Sequence, residues 1–137
     1  MIKLKKILGA RCNAPEIVEI ETEIGGECRP GQFYFLYGHK LLDHDGTEQK
    51  AVFVPIETVI GNGQLTKIKG YYVTEEMIFE GKLYGNFAGI GIGDCVEPHL
   101  NDANIIDGVA VTEGMFAFIV SIDEYSETGN VTFRLNL

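Results

Sequence analysis

The chain is 137 residues long with 45% hydrophobic residues, which suffices for a packed core without disulfides or metal and is too apolar for a disordered segment. Its formal net charge of −9 opposes docking of a nucleic-acid backbone on any broad face. No apolar run approaches the ~20 residues that span a bilayer, and residues 1–8 lack the apolar stretch of a signal peptide, so the product is expected to stay in the cytosol until it joins something.

Glycine is frequent, at 17 of 137 residues, which favours short strands and tight turns. Ile2 to Leu8 reads as a first strand or, within residues 1–10, an N-terminal arm, and it carries Lys3, Lys5 and Lys6. Glu16 to Ile24 alternates strictly: Val18, Ile20, Thr22 and Ile24 face one way, and Glu19, Glu21 and Glu23 the other. Period two with one charged face predicts a half-exposed strand. Gly25-Gly26 and Arg29-Pro30-Gly31 are turn signals, and Gln32 to Tyr37 is an aromatic-rich strand candidate. Asp45-Gly46 marks another turn, Ala51 to Val54 a buried-type strand stopped by Pro55, and Gln64 to Val73 an extended segment. Thr74-Glu75-Glu76-Met77 has the residues of a capped helical turn.

Gly85 to Gly93 is glycine-rich, and Gly93 to Pro98 reads as a strand entered through Gly-Asp. The last thirty residues are the most apolar. They predict a short strand at Gly108 to Thr112, a long one at Met115 to Asp123, a polar turn at Glu124 to Gly129 and a closing strand at Asn130 to Leu135. No helical periodicity persists beyond about two turns. The expected fold is all-β, a small single-domain β-barrel or sandwich spanning residues 1–137, with at most one or two short helical turns.

Few residues suggest chemistry. Gly89-Ile90-Gly91-Ile92-Gly93 looks like a phosphate loop, but a strand rather than a helix follows, and Asp94 would repel phosphate. A sharp bend between strands is the expectation. Asp43-His44-Asp45, with His39 nearby, offers ligand types without the further acids of a calcium loop, so no metal is assigned. Cys95 and His99 are the residue types of a thiolate–imidazole pair, without a legible orienting group. Cys12, Cys28 and Cys95 form no metal-binding spacing and read as reduced thiols. Tyr34, Tyr37, Tyr71, Tyr72 and Tyr84 supply interface-type surface. No catalytic residue and no cofactor is assigned.

In order, Ala51-Val52-Phe53-Val54-Pro55, Ile68 to Glu80 with its Val73-Thr74-Glu75-Glu76-Met77-Ile78-Phe79 core, Ile92-Gly93-Asp94-Cys95-Val96, Phe116 to Val120 and Val131-Thr132-Phe133-Arg134-Leu135 resemble a family of small head decoration, or capsid-stabilising, proteins of tailed phages and prophages. Phe133 stands where that family carries an aliphatic residue before the arginine, and the N-terminal third matches only loosely. The resemblance implies a β-rich viral structural protein without enzymatic residues, bound on the outer face of the virion capsid. Its partner would be the major capsid protein, often with self-association into trimers. Ile2, Lys3, Lys5, Lys6, Tyr71 and Tyr72 are the residues expected to contact the capsid. The alternatives are a glycan- or peptide-binding barrel using Tyr71, Tyr72 and the Asp43–Asp45 turn, and a small enzyme around Cys95 and His99.

Overall fold

The computed structural model describes residues 2–10, 14–43, 51–85, 89–103, 105–122 and 129–137. Its strands begin with β1 (Lys3–Ile7), β2 (Val18–Ile24), β3 (Glu27–Cys28), β4 (Tyr34–Tyr37), β5 (Lys40–Asp43), β6 (Val52–Pro55) and β7 (Val59–Ile60). They continue with β8 (Leu65–Tyr72), β9 (Met77–Tyr84), β10 (Cys95–Leu100), β11 (Ile106–Val111), β12 (Ala117–Ile122) and β13 (Asn130–Leu135). No helix occurs among the described residues, and the all-β expectation holds. The chain divides into two compact units, one built from residues 14–43 and 51–73 and the other from residues 2–10 and 74–137 among those described.

The first unit is a closed barrel in the order β2-β5-β4-β6-β8, with the short β3–β7 ribbon beside it in sequence. Strict alternation places β2 as the sequence predicts. Thr22 and Ile24 are buried, Val18 and Ile20 pack on the core formed by Ile24, Tyr34, Leu41, Phe53 and Ile68, and Glu19 and Glu21 are exposed. The antiparallel register sets Glu19 opposite Lys69 and Glu21 opposite Lys67. Opposite charges across a ladder contribute roughly 0.2–1 kcal/mol per pair, so the acidic row supports the pairing rather than merely tolerating solvent. The buried polar groups are satisfied. Thr22 Oγ1 donates to His39 O at 2.9 Å, and Tyr34 OH accepts from Arg29 N at 3.0 Å. Pro55 is the last residue of β6 rather than the residue beyond it; its carbonyl accepts from Gly31 N at 3.2 Å, a bond that needs no proline N–H.

In the second unit the order is β1-β9-β11-β10-β12-β13, and β13 pairs again with β9, which brings the sheet back on itself. Met77, Phe79, Gly81 and Leu83 form the buried side of β9, and Val131, Phe133 and Leu135 that of β13. Phe79 and Phe133 are register partners whose rings stack with centroids 5.9 Å apart. Each fully buried side chain of this size contributes roughly 1.5–3 kcal/mol. The C-terminal block is therefore the closing seam of its unit. Met115 lies outside the strand it was expected to begin, because β12 starts at Ala117. Asp123 and most of the expected Glu124–Gly129 turn lie outside the described residues.

Thr74 to Met77 is a tight turn and not a helical one: Met77 N donates to Thr74 O at 3.2 Å and β9 begins at once. The acids suit a first helical turn, but from Met77 onward the apolar residues recur every second position. Period two wins over the local cap signal once neighbouring strands are available to pair.

Candidate functional site

A dense polar cluster among the described residues sits on the second unit, across β9, β10 and β11. The β10–β11 ladder runs from Val96↔Val111 to His99↔Gly108 and then jumps to Leu100↔Ile106, which leaves Asp107 as the extra residue of a bulge. A regular ladder would turn Asp107 and Gly108 to opposite faces; the bulge re-aims Asp107 toward His99. His99 Nδ1 and Asp107 Oδ1 lie 2.7 Å apart, and Tyr84 OH donates to Asp107 Oδ2 at 3.1 Å. The Tyr84 and His99 rings stack at 3.9 Å and 10°, and Lys82 Nζ sits 4.7 Å from the Tyr84 centroid. Tyr84 occupies space that only glycine leaves open, since a Cβ on Gly108 would lie 2.6 Å from Tyr84 Cε2 and 2.3 Å from Lys82 O.

Charge follows this geometry. Desolvation pulls the Asp107 pKa up, but the hydrogen bonds from His99 and Tyr84 and the His99 charge outweigh it, and the net shift is downward. Tyr84 is raised, first by desolvation and then by its bond to the Asp107 carboxylate and that group's charge. With Asp107 holding Nδ1, Nε2 is the ring nitrogen left for a proton or a ligand. The arrangement pins an imidazole between a carboxylate and a phenol ring. Cys95 is four residues back on β10, roughly 13 Å away at the strand rise of about 3.3 Å per residue, so the two do not form a thiolate–imidazole pair. Sequence reading named His99 and Tyr84 without joining them and missed Asp107, because the partners are joined by a bulge and by a parallel pairing that spacing does not encode.

A different feature occupies one end of the same unit. Asp94 N donates to Gly91 O at 3.2 Å, and Gly91 N donates to Asp94 Oδ2 at 2.8 Å, closing a four-residue turn. Gly93 has φ of 93°, as the third residue of a type II turn requires. The glycine-rich stretch is thus the expected bend, with its carboxylate already engaged by the loop. Gly93 N and Asp94 O bond the Ile119 backbone at 2.8 and 2.9 Å, Thr112 N donates to Cys95 O at 3.0 Å, and Asn136 N to Phe116 O at 2.8 Å. These bonds tie the 91–94 turn to the middle of β12, the residue after β11 to the start of β10, and the residue after β13 to the residue before β12. Ile92 is 75% and Met115 61% exposed, and Val111 and Leu137 are also exposed.

The residues expected at a capsid contact are spread over both units. Lys3, Lys5 and Lys6 are exposed on β1, with Lys5 Nζ 3.0 Å from Glu80 Oε2. Ile2 is buried and packs on Gly81 of β9. Tyr72 is exposed and meets Phe53 edge-on at 5.5 Å, whereas Tyr71 is buried. The open part of the expected set is therefore Lys3, Lys5, Lys6 and Tyr72. Tyr34 belongs to the barrel core and Tyr84 to the His99 cluster, so neither adds to an open tyrosine platform. Cys28 is buried and Cys95 half-buried. Cys12, His44, Asp45 and the Asp43 side chain lie outside the described residues. Among the described residues no three His, Cys, Asp or Glu side chains are placed to hold a metal ion.

Burial pushes the Tyr71 pKa up to about 12. The phenol is neutral in the native state, so its contribution is complete below pH ~10, the unfolded value, and is lost as pH rises through the native one. The expected result is a fall in unfolding free energy of up to about 2 kcal/mol across this alkaline window, a fall that Tyr71→Phe reduces. Urea unfolding at stepped pH measures it; identical pH slopes in the two proteins would contradict the assignment.

No family model matches the chain, and no curated protein or solved structure matches it.

Proposed function

We propose that the chain is a head decoration protein of a tailed phage or prophage, which binds the outer surface of the major capsid protein shell and stabilises it. The observation that carries this reading is the ordered run of resembling segments, and the exposed apolar side chains Ile92, Val111, Met115 and Leu137 of the second unit are surface that a protein partner would cover. The resembling segments add support, because they fall on the core strands β6, β8, β9, β10, β12 and β13. The charge of −9 suits the outside of a shell and not its DNA-lined interior. Weak docking repeated over many identical shell sites stabilises the particle cumulatively.

The test is co-sedimentation with empty shells assembled from the major capsid protein of the same phage. The protein is expected to pellet with shells and to remain in the supernatant alone. A protein left wholly in the supernatant at saturating shell concentration would sink the reading.

A further inference from the structure

We infer that copies of this chain associate head to tail, the basic outer face of β1, β9 and β13 on one copy meeting the acidic β10–β11 hairpin of the next. Register places the bases. Lys3 pairs with Glu80 and Lys6 with Ile78 across β1 and β9, while Glu80 pairs with Thr132 and Lys82 with Asn130 across β9 and β13. Register partners share a face, and it is the outer one, because the intervening Phe79, Gly81, Val131 and Phe133 are buried. Arg134 follows Phe133, the partner of Phe79, and so joins the row of Lys6 and Ile78. Lys5 enters at the β1 irregularity, 3.0 Å from Glu80. These five are all the lysines and arginines of the second unit among the described residues, and Glu75, Glu76 and Glu80 are the acids beside them.

The hairpin has the opposite sign. No lysine or arginine occurs between Lys82 and Arg134. Asp94 stands just before β10, Glu97 on it, Asp102 in the turn to β11, Asp107 on β11 and Glu113 two residues past its end. Glu97 neighbours the buried Val96 and so points outward, and the bond from Thr112 N to Cys95 O brings Glu113 to the Asp94 end of the hairpin. Asp94 and Asp107 are bonded within the chain, to Gly91 N and to His99 and Tyr84, so Glu97, Asp102 and Glu113 lead the contact. A second copy brings the complementary sign to each face, whereas nucleic acid on the basic face would meet the overall charge of −9. That net charge also repels copies at a distance, but it is screened over about 8 Å at physiological salt, and facing side chains act inside that range. Base on acid makes the contact heterologous, so it closes as a ring or continues as an open row.

Sedimentation velocity of the full chain over a concentration series tests this, with circular dichroism and melting temperature as fold controls. One variant carries Lys6→Glu with Lys82→Glu, the other Glu97→Lys with Glu113→Lys. Ile78 and Asn130 face the two lysines and Ala110 faces Glu97, so none of these changes sets like charges across a ladder. The wild-type chain is expected to associate, and to dissociate at ~1 M salt, where screening acts within ~3 Å. Each variant alone is expected to associate about a hundredfold more weakly, since like charges now meet. Mixed in equal amounts, the two are expected to recover association, because the reversed face of one complements the reversed hairpin of the other. Should a double variant fail its fold control, the single changes Lys6→Glu and Glu113→Lys, at exposed positions, carry the same comparison with about a tenfold loss each. A wild-type chain that stays monomeric at every concentration and salt overturns the inference. So does association undiminished in the variants, or a mixture that associates no more tightly than its components. The inference does not depend on the shell reading, which co-sedimentation tests separately.

Discussion

Phe133→Ala is expected to remove about 3–5 kcal/mol of stability, the range for deleting a fully buried aromatic ring. Phe133 is completely buried. It lies on β13, which pairs with β12 on one side and β9 on the other. Its ring stacks on Phe79 of the facing strand, and aromatic contact adds to area burial. Truncation leaves a void at the seam that closes the sheet, where paired strands on both sides limit collapse into the space. Typical domains hold only about 5–15 kcal/mol in total, so the variant is expected to unfold at much lower denaturant, with amides of β9 and β13 losing hydrogen-exchange protection first. A denaturation midpoint within about 0.5 kcal/mol of wild type, the scale of a neutral surface change, would show that Phe133 is not a core residue.

Gly70→Ala is the second large effect, and it arises from overpacking. Gly70 faces the barrel interior on β8, opposite Pro55 of β6. An added Cβ would lie 2.3 Å from Val54 O and 2.6 Å from Phe53 Cζ. Phe53 is fully buried and cannot swing aside without displacing the core, and the carbonyl belongs to a paired strand. Overpacking a filled core costs roughly 1–3 kcal/mol and more where backbone must move, so a loss of about 3 kcal/mol is expected. Gly25→Ala is the control, because nothing lies within 4 Å of its added Cβ. Equal melting temperatures for the two variants would contradict the packing account.

Much of the fold was legible because one face of a strand must be apolar. Val18 to Ile24 announced itself by strict alternation, and Leu65–Tyr72 and Asn130–Leu135 fell where extended segments were expected. The strands Glu27–Cys28, Lys40–Asp43 and Val59–Ile60 were not read, since two to four residues are too few to show a period. The division into two units was not read either, because no linker or composition change marks it. Its basis is pairing between distant segments, such as Lys3–Ile7 with Met77–Tyr84.

The candidate surfaces were harder to read for the same reason. The glycine-rich turn was legible as a bend through Gly93 and Asp94, but the exposure of Ile92 depends on backbone bonds to Ile119. Asp107 reaches His99 only because the ladder slips by one residue. Tyr71 and Tyr72 are adjacent in sequence, yet one is buried and the other exposed, since neighbours on a strand point to opposite faces.

The most direct test is electron cryo-microscopy of shells saturated with the protein. The account predicts added density on the outer surface of the shell, in contact with the major capsid protein. Bare shells, or added density confined to the inner surface, would contradict it.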